Sequence, residues 1–135
     1  MNEVELPNLP LRHTWNLQTG LALAGAGIWL MAAPFLLGYY RHGSATANDI
    51  LVGILIAGIA LATTIAPDRF RALRWLNSYL GFWLMAAPFV LGYLSYDFPK
   101  SGAVPTSNDL IVGGVVWFLS FIKAIYSARS ARDFP

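Results

Sequence analysis

Four stretches of this chain are almost free of charge, and each is long enough to cross a lipid bilayer. They run from Leu17 to Tyr40, Ile50 to Ala66, Trp75 to Tyr96 and Leu110 to Tyr126, with Lys123 the single charge in the last. At about 1.5 Å rise per residue, helices of this length extend roughly 25 to 36 Å, against a hydrocarbon thickness of about 30 Å. Helices buried in a soluble bundle need a polar stripe facing water, and the first three runs have none. Composition agrees: 56% of the residues are hydrophobic and 12% charged, about half the charged fraction of an ordinary soluble domain. A disordered polymer, a basic nucleic-acid binder and a water-soluble globule are thereby excluded. There is no cysteine, hence no disulfide framework, thiolate metal site or thiol nucleophile.

The charges orient the spans. Arg12 in the leading tail, Arg69, Arg71 and Arg74 in the central loop, and Lys123, Arg129 and Arg132 at the trailing end fall on one side; Arg41 and Lys100 fall on the other. The positive-inside rule places the richer side in the cytoplasm. Lys123 is expected to snorkel to that surface. Trp15, Trp75 and Tyr126 are expected in the inner aromatic belt, and Tyr39, Tyr40, Tyr93 and Tyr96 in the outer one. The leader carries Glu3 and Glu5, and the first apolar run is too long for a cleavable signal, so it reads as a retained anchor. No lipidation motif is present. The expected organisation is a cytoplasmic tail (1–14), a first two-helix unit (15–66), a basic loop (67–74), a second two-helix unit (75–126) and a second cytoplasmic tail (127–135).

The two units are copies. Residues 29–39 read WLMAAPFLLGY and residues 83–93 read WLMAAPFVLGY, identical at ten of eleven positions, and each is followed by a related element, NDILVG from Asn48 and NDLIVG from Asn108. The second copy has six more residues between its Pro and its Asn than the first. Chance similarity between apolar helices would not reproduce Trp, Pro, Gly and Tyr in register.

At these residues, across about positions 15–126, the chain resembles the SPW-repeat family of small prokaryotic membrane proteins. Its repeat has two transmembrane helices with Ser-Pro-Trp in the first. Here Ala33-Pro34-Phe35 and Ala87-Pro88-Phe89 stand in that place, keeping the proline and an aromatic but losing the hydroxyl. The resemblance implies an architecture and no particular chemistry. Two spans return the chain to its starting side, so the expected fold is an all-α membrane protein of four transmembrane helices, a parallel pseudo-two-fold bundle in the inner membrane.

Each repeated residue has a packing role and a sharper alternative. Pro34 and Pro88 are expected to kink helices 1 and 3, leaving the carbonyls of Leu30 and Leu84 short of a partner; the alternative is a polar spot built from those carbonyls. Gly27, Met31, Pro34 and Gly38, and their copies Gly81, Met85, Pro88 and Gly92, form a small-residue face for close helix approach. Gly53, Ala57, Ala60 and Thr64 offer the matching face on helix 2. Helix 4 presents Gly113, Trp117, Ser120 and Ala124, where Trp117 is expected to break the symmetry. Trp29 and Trp83 are assigned to helix packing, with indole N–H groups unsatisfied or bifurcated. Asn48-Asp49 and Asn108-Asp109 are expected to cap helices 2 and 4, with Thr46 and Thr106 as capping-box alternatives; a paired carboxylate site from Asp49 and Asp109 is the competing reading.

Catalytic signals are absent. His13 and His42 lie at opposite membrane surfaces and cannot share a metal or haem. No span carries a central acid or base of the kind a pump requires. Thr63, Thr64, Asn77, Ser78 and Ser120 gather toward the inner end, as helix–helix hydrogen bonds would. The expectation is a non-enzymatic structural or accessory subunit, without cofactor, metal or nucleic acid, contacting lipid, copies of itself or a larger membrane complex. The alternatives are a passive channel or small-solute transporter, and a lipid or quinone binder.

Overall fold

A computed structural model describes residues 9–95 and 102–130 of the chain, without the side chains of residues 9–13, 127, 128 and 130. The described backbone forms α1 (Leu9–Leu36), α2 (Gly43–Ile65), α3 (Leu73–Val90) and α4 (Ala103–Ser130). The flanking tail residues 1–8 and 131–135, and the segment 96–101 that holds Tyr96, Lys100 and most of the longer loop, lie outside the described residues.

The helices begin earlier than the apolar runs imply, and all but α4 also end earlier. α2 and α4 start at Gly43 and Ala103, seven residues before the expected Ile50 and Leu110, because the residues leading into those runs, though less uniformly apolar, are compatible with a helix. Pro105 near the start of α4 needs no helical N–H there. At the other boundary, Gly38 (φ 78°) and Gly92 (φ 76°) take up the left-handed conformation and turn the chain. Glycine carries no Cβ penalty there, so these two glycines terminate helices and do not belong to the packing face. Pro34 and Pro88 stand two residues from the ends of α1 and α3. Each missing N–H therefore falls in the last turns of its helix, just before the glycine that turns the chain.

α1 packs chiefly on α2 and α3 on α4, with smaller α2–α3 and α1–α4 contacts. Glycines allow the backbones to touch. A Cβ on Gly27 would come within 2.6 Å of the Gly53 carbonyl oxygen, and one on Gly113 within 2.7 Å of the Gly81 carbonyl oxygen. Trp117 does not disturb the second contact: its backbone faces Gly81, as the backbone of Ala57 faces Gly27. The Trp117 ring is turned onto Phe121, with centroids 5.5 Å apart.

Leu23, Leu30, Val52, Ile56, Leu84 and Val116 fill the core. The outside is equally apolar: Ile28, Phe35, Leu36, Leu51, Ile65, Phe82, Phe89 and Ile111 are all more than half exposed. Three stretches, Thr14–Leu36, Gly43–Ile65 and Ala103–Tyr126, are long and apolar enough to cross a membrane. α3 is the exception, with 18 residues that include Arg74, Asn77 and Ser78.

Candidate functional site

The residues of the two NDxxVG elements do not cap anything. The residue preceding α2 is His42, and its side chain makes no capping bond. Asn48, Asp49, Asn108 and Asp109 lie more than a turn inside their helices and are buried, both aspartates at 0% exposure. An unpaired buried carboxylate is costly, and the turn end of the helices supplies partners in a network of eight side chains that includes both aspartates.

Tyr39 and Tyr93, placed just beyond Gly38 and Gly92, are folded inward by those turns. They are buried and are not belt residues. The Tyr39 hydroxyl donates to Asp49 Oδ2 at 2.5 Å, and the Tyr93 hydroxyl donates to Asp109 Oδ2. Asn48 Nδ2 and Asn108 Nδ2 lie 3.4 Å from Oδ1 of the adjacent aspartate. Asn108 Nδ2 also donates to the Tyr39 hydroxyl at 3.1 Å, which links the two tyrosine–aspartate pairs.

The indoles are satisfied too. Trp29 Nε1 donates to Asn108 Oδ1 at 3.0 Å and Trp83 Nε1 to Asn48 Oδ1 at 2.9 Å. Each tryptophan reaches the asparagine of the other copy. Below the network, Thr106 fixes the second turn, its hydroxyl donating to the carbonyls of Tyr93 (3.1 Å) and Gly102 (2.7 Å) and accepting from the Ser95 N–H at 3.1 Å. Thr46 bonds the Tyr39 carbonyl at 3.3 Å in the first turn. Ala33, Ala87 and Ala45 pack around the tyrosines, so the alanines of the repeated motif act as space-makers. Phe35 and Phe89 face outward.

The sequence offered Asp49 and Asp109 as a candidate pair but assigned both Asn-Asp dipeptides to local capping. The missing signal was the coincidence of inward-turned tyrosines with the Trp–Asn exchange, which no single helix displays. Among the described residues no group of three or more His, Asp or Glu is placed to hold a metal ion.

A second polar group lies at the opposite, basic-loop end. Lys123 does not snorkel: it is 3% exposed, and its Nζ reaches the Thr64 hydroxyl at 3.4 Å. Thr64 fits because Gly20 faces it; a Cβ at position 20 would collide with the Thr64 hydroxyl. Asn77 Nδ2 reaches across to the Ile56 carbonyl at 3.4 Å, whereas Thr63 and Thr64 donate back to carbonyls of their own helix. Asn77 Oδ1, Ser120 Oγ and Arg74 Nε are buried without a hydrogen-bond partner. Burial, and then the neighbouring Arg71 charge, hold Arg74 below the ordinary arginine pKa.

Apolar exterior, spanning helices and a buried polar network together define a helical membrane protein. The chain belongs to the SPW repeat family, whose domain matches residues 14–128. No curated protein and no solved structure matches it.

Proposed function

We propose that this protein is a non-enzymatic, four-span membrane protein that serves as a small structural or accessory subunit. Its two hairpins would lie side by side in a prokaryotic inner membrane as a parallel pseudo-two-fold four-helix bundle. The tails and the 67–74 loop would face the cytoplasm. One observation carries the reading: at the turn end, the donors of the tryptophans, tyrosines and asparagines are directed to other members of the same network. A network closed on itself locks helices together and reserves nothing for a substrate. The bulky apolar exterior then suits lipid or the helices of a partner. Crosslinking in native membranes, followed by identification of the adducts, tests this reading; recovery of the lone polypeptide and lipid alone would remove the subunit role. The orientation is tested by a cysteine at position 72, which an impermeant reagent should fail to label from outside.

A specific feature favours one second reading, a lipid or quinone binder. A cavity of about 310 Å³ opens at the α1–α4 seam beside the Trp29–Asn108 bond, lined also by Leu37, Val104, Ile111 and Val112. Mass spectrometry of gently purified protein would reveal a stoichiometric apolar ligand if this cavity is a binding site.

A further inference from the structure

The two copies differ most where Lys123 is buried. Aligned through Trp29/Trp83 and Asn48/Asn108, the second copy has Arg74, Asn77, Ser120 and Lys123 where the first has Gly20, Leu23, Ala60 and Thr63. The helix contacts themselves are alike in both copies, glycine against glycine, so the bundle closes without these polar groups. Four polar residues have nevertheless been placed together, one turn apart on α3 and one turn apart on α4.

Their hydrogen bonding is incomplete in a particular direction. An ammonium group has three N–H donors, and among the described residues that of Lys123 makes one long contact, to Thr64. Arg74 Nε and Ser120 Oγ add two further unpartnered donors, with Asn77 Oδ1 as a spare acceptor. Arg74 donates through another nitrogen to the Pro67 carbonyl at 2.6 Å, and its guanidinium is close enough to act on the Lys123 charge. Among the described residues neither cation has a carboxylate in salt-bridge contact: the ion pair is the exposed Arg71–Asp68 contact, and Asp68 acts on Arg74 only at longer range. Two neighbouring cations without an anion are unfavourable in a low-dielectric interior. Arg74 is half-exposed and links the buried lysine to the surface. Exposed aromatics mark the depth as that of headgroups: Trp15 pairs with Tyr126 and Trp75 with Phe121, centroids 6.3 and 6.1 Å apart.

We infer that Lys123, Arg74 and Ser120 form an anion site at the basic-loop end, taking a phosphate group between α3 and α4. The same chemistry serves the phosphodiester of an anionic lipid or free phosphate, and basic pockets between membrane helices are known to hold lipid headgroups. Full-length protein reconstituted with equal phosphatidylglycerol and phosphatidylcholine, whose choline cancels the charge, is re-extracted and its retained lipid counted by native mass spectrometry. A separate arm titrates inorganic phosphate into lipid-stripped protein. Wild type should retain phosphatidylglycerol preferentially, and Lys123→Met should lower that preference about tenfold, the scale of one charge-assisted contact. Arg74→Gln should lower it less. Binding of inorganic phosphate that is lost in Lys123→Met, without lipid preference, assigns the site to the free anion. Lys123→Met removes a buried charge at similar volume, so it should unfold no earlier than wild type, and Arg74→Gln gives an independent readout. Equal retention of the two lipids with no phosphate binding, or a lipid preference that survives both substitutions, overturns the inference.

Discussion

At the turn end, two copies of one motif place four pairs of identical residues in a network where each tyrosine has its aspartate and each tryptophan the asparagine of the other copy. At the basic-loop end, the second copy carries Arg74, Asn77, Ser120 and Lys123 where the first has Gly20, Leu23, Ala60 and Thr63, and three of their atoms are buried without partners. The contrast follows where the two repeated segments match and where they do not. A bond that joins the copies is made twice whenever both keep the same residues, so matched sequence serves cohesion. Divergence of one copy builds something the other lacks. Buried polar groups that satisfy one another act as glue; buried polar groups that do not are held for another purpose.

The largest test breaks the scaffold that both ends share. Gly27→Leu or Gly113→Leu would drive a side chain into backbone at a contact with no room for a Cβ, and should cost about 3 kcal/mol or more, measured as early unfolding in detergent. Next, Tyr39→Phe and Tyr93→Phe each strip a buried carboxylate of its donor, for about 1–3 kcal/mol apiece. Near-equal losses would sharpen the view of the turn end as a doubled contact; a loss at one site only would break it. Trp29→Phe and Trp83→Phe remove half-exposed indole donors and should cost about 0.5–1.5 kcal/mol each. The smallest effect belongs to the opposite end. Ser120→Ala and Asn77→Leu install residues of the kind the first copy uses there, and thermal unfolding should move by no more than about 0.5 kcal/mol or shift in favour of the fold. A severe loss from Ser120→Ala would show that its hydroxyl is bonded within the protein and dissolve the contrast.

The helices were legible because they are written in local chemistry, as long apolar runs, and the family was legible from Trp, Pro, Gly and Tyr recurring in register. Gly27 and Gly53 were likewise legible as contact residues from small-residue spacing. The aspartates were misplaced because capping is judged from chain neighbours, and an Asn-Asp pair at the edge of an apolar run looks like a helix start whether or not the helix began earlier. Tyr39 and Tyr93 look like belt residues until the left-handed turns at Gly38 and Gly92 fold them inward. Lys123 stands one turn from a span boundary, where a long side chain ordinarily escapes to water. Only the placement of Thr64, made possible by Gly20, gives its ammonium a contact inside. Each failure concerns a residue whose partner sits on a different helix.

The crossed tryptophans carry a further consequence. Since each indole reaches the amide of the opposite unit, a chain half this long would hold a donor and an acceptor pointed away from itself, and could settle them only by meeting a twin. Severing the backbone between Arg69 and Arg71 should therefore leave two fragments that still recognise one another, as separate subunits would.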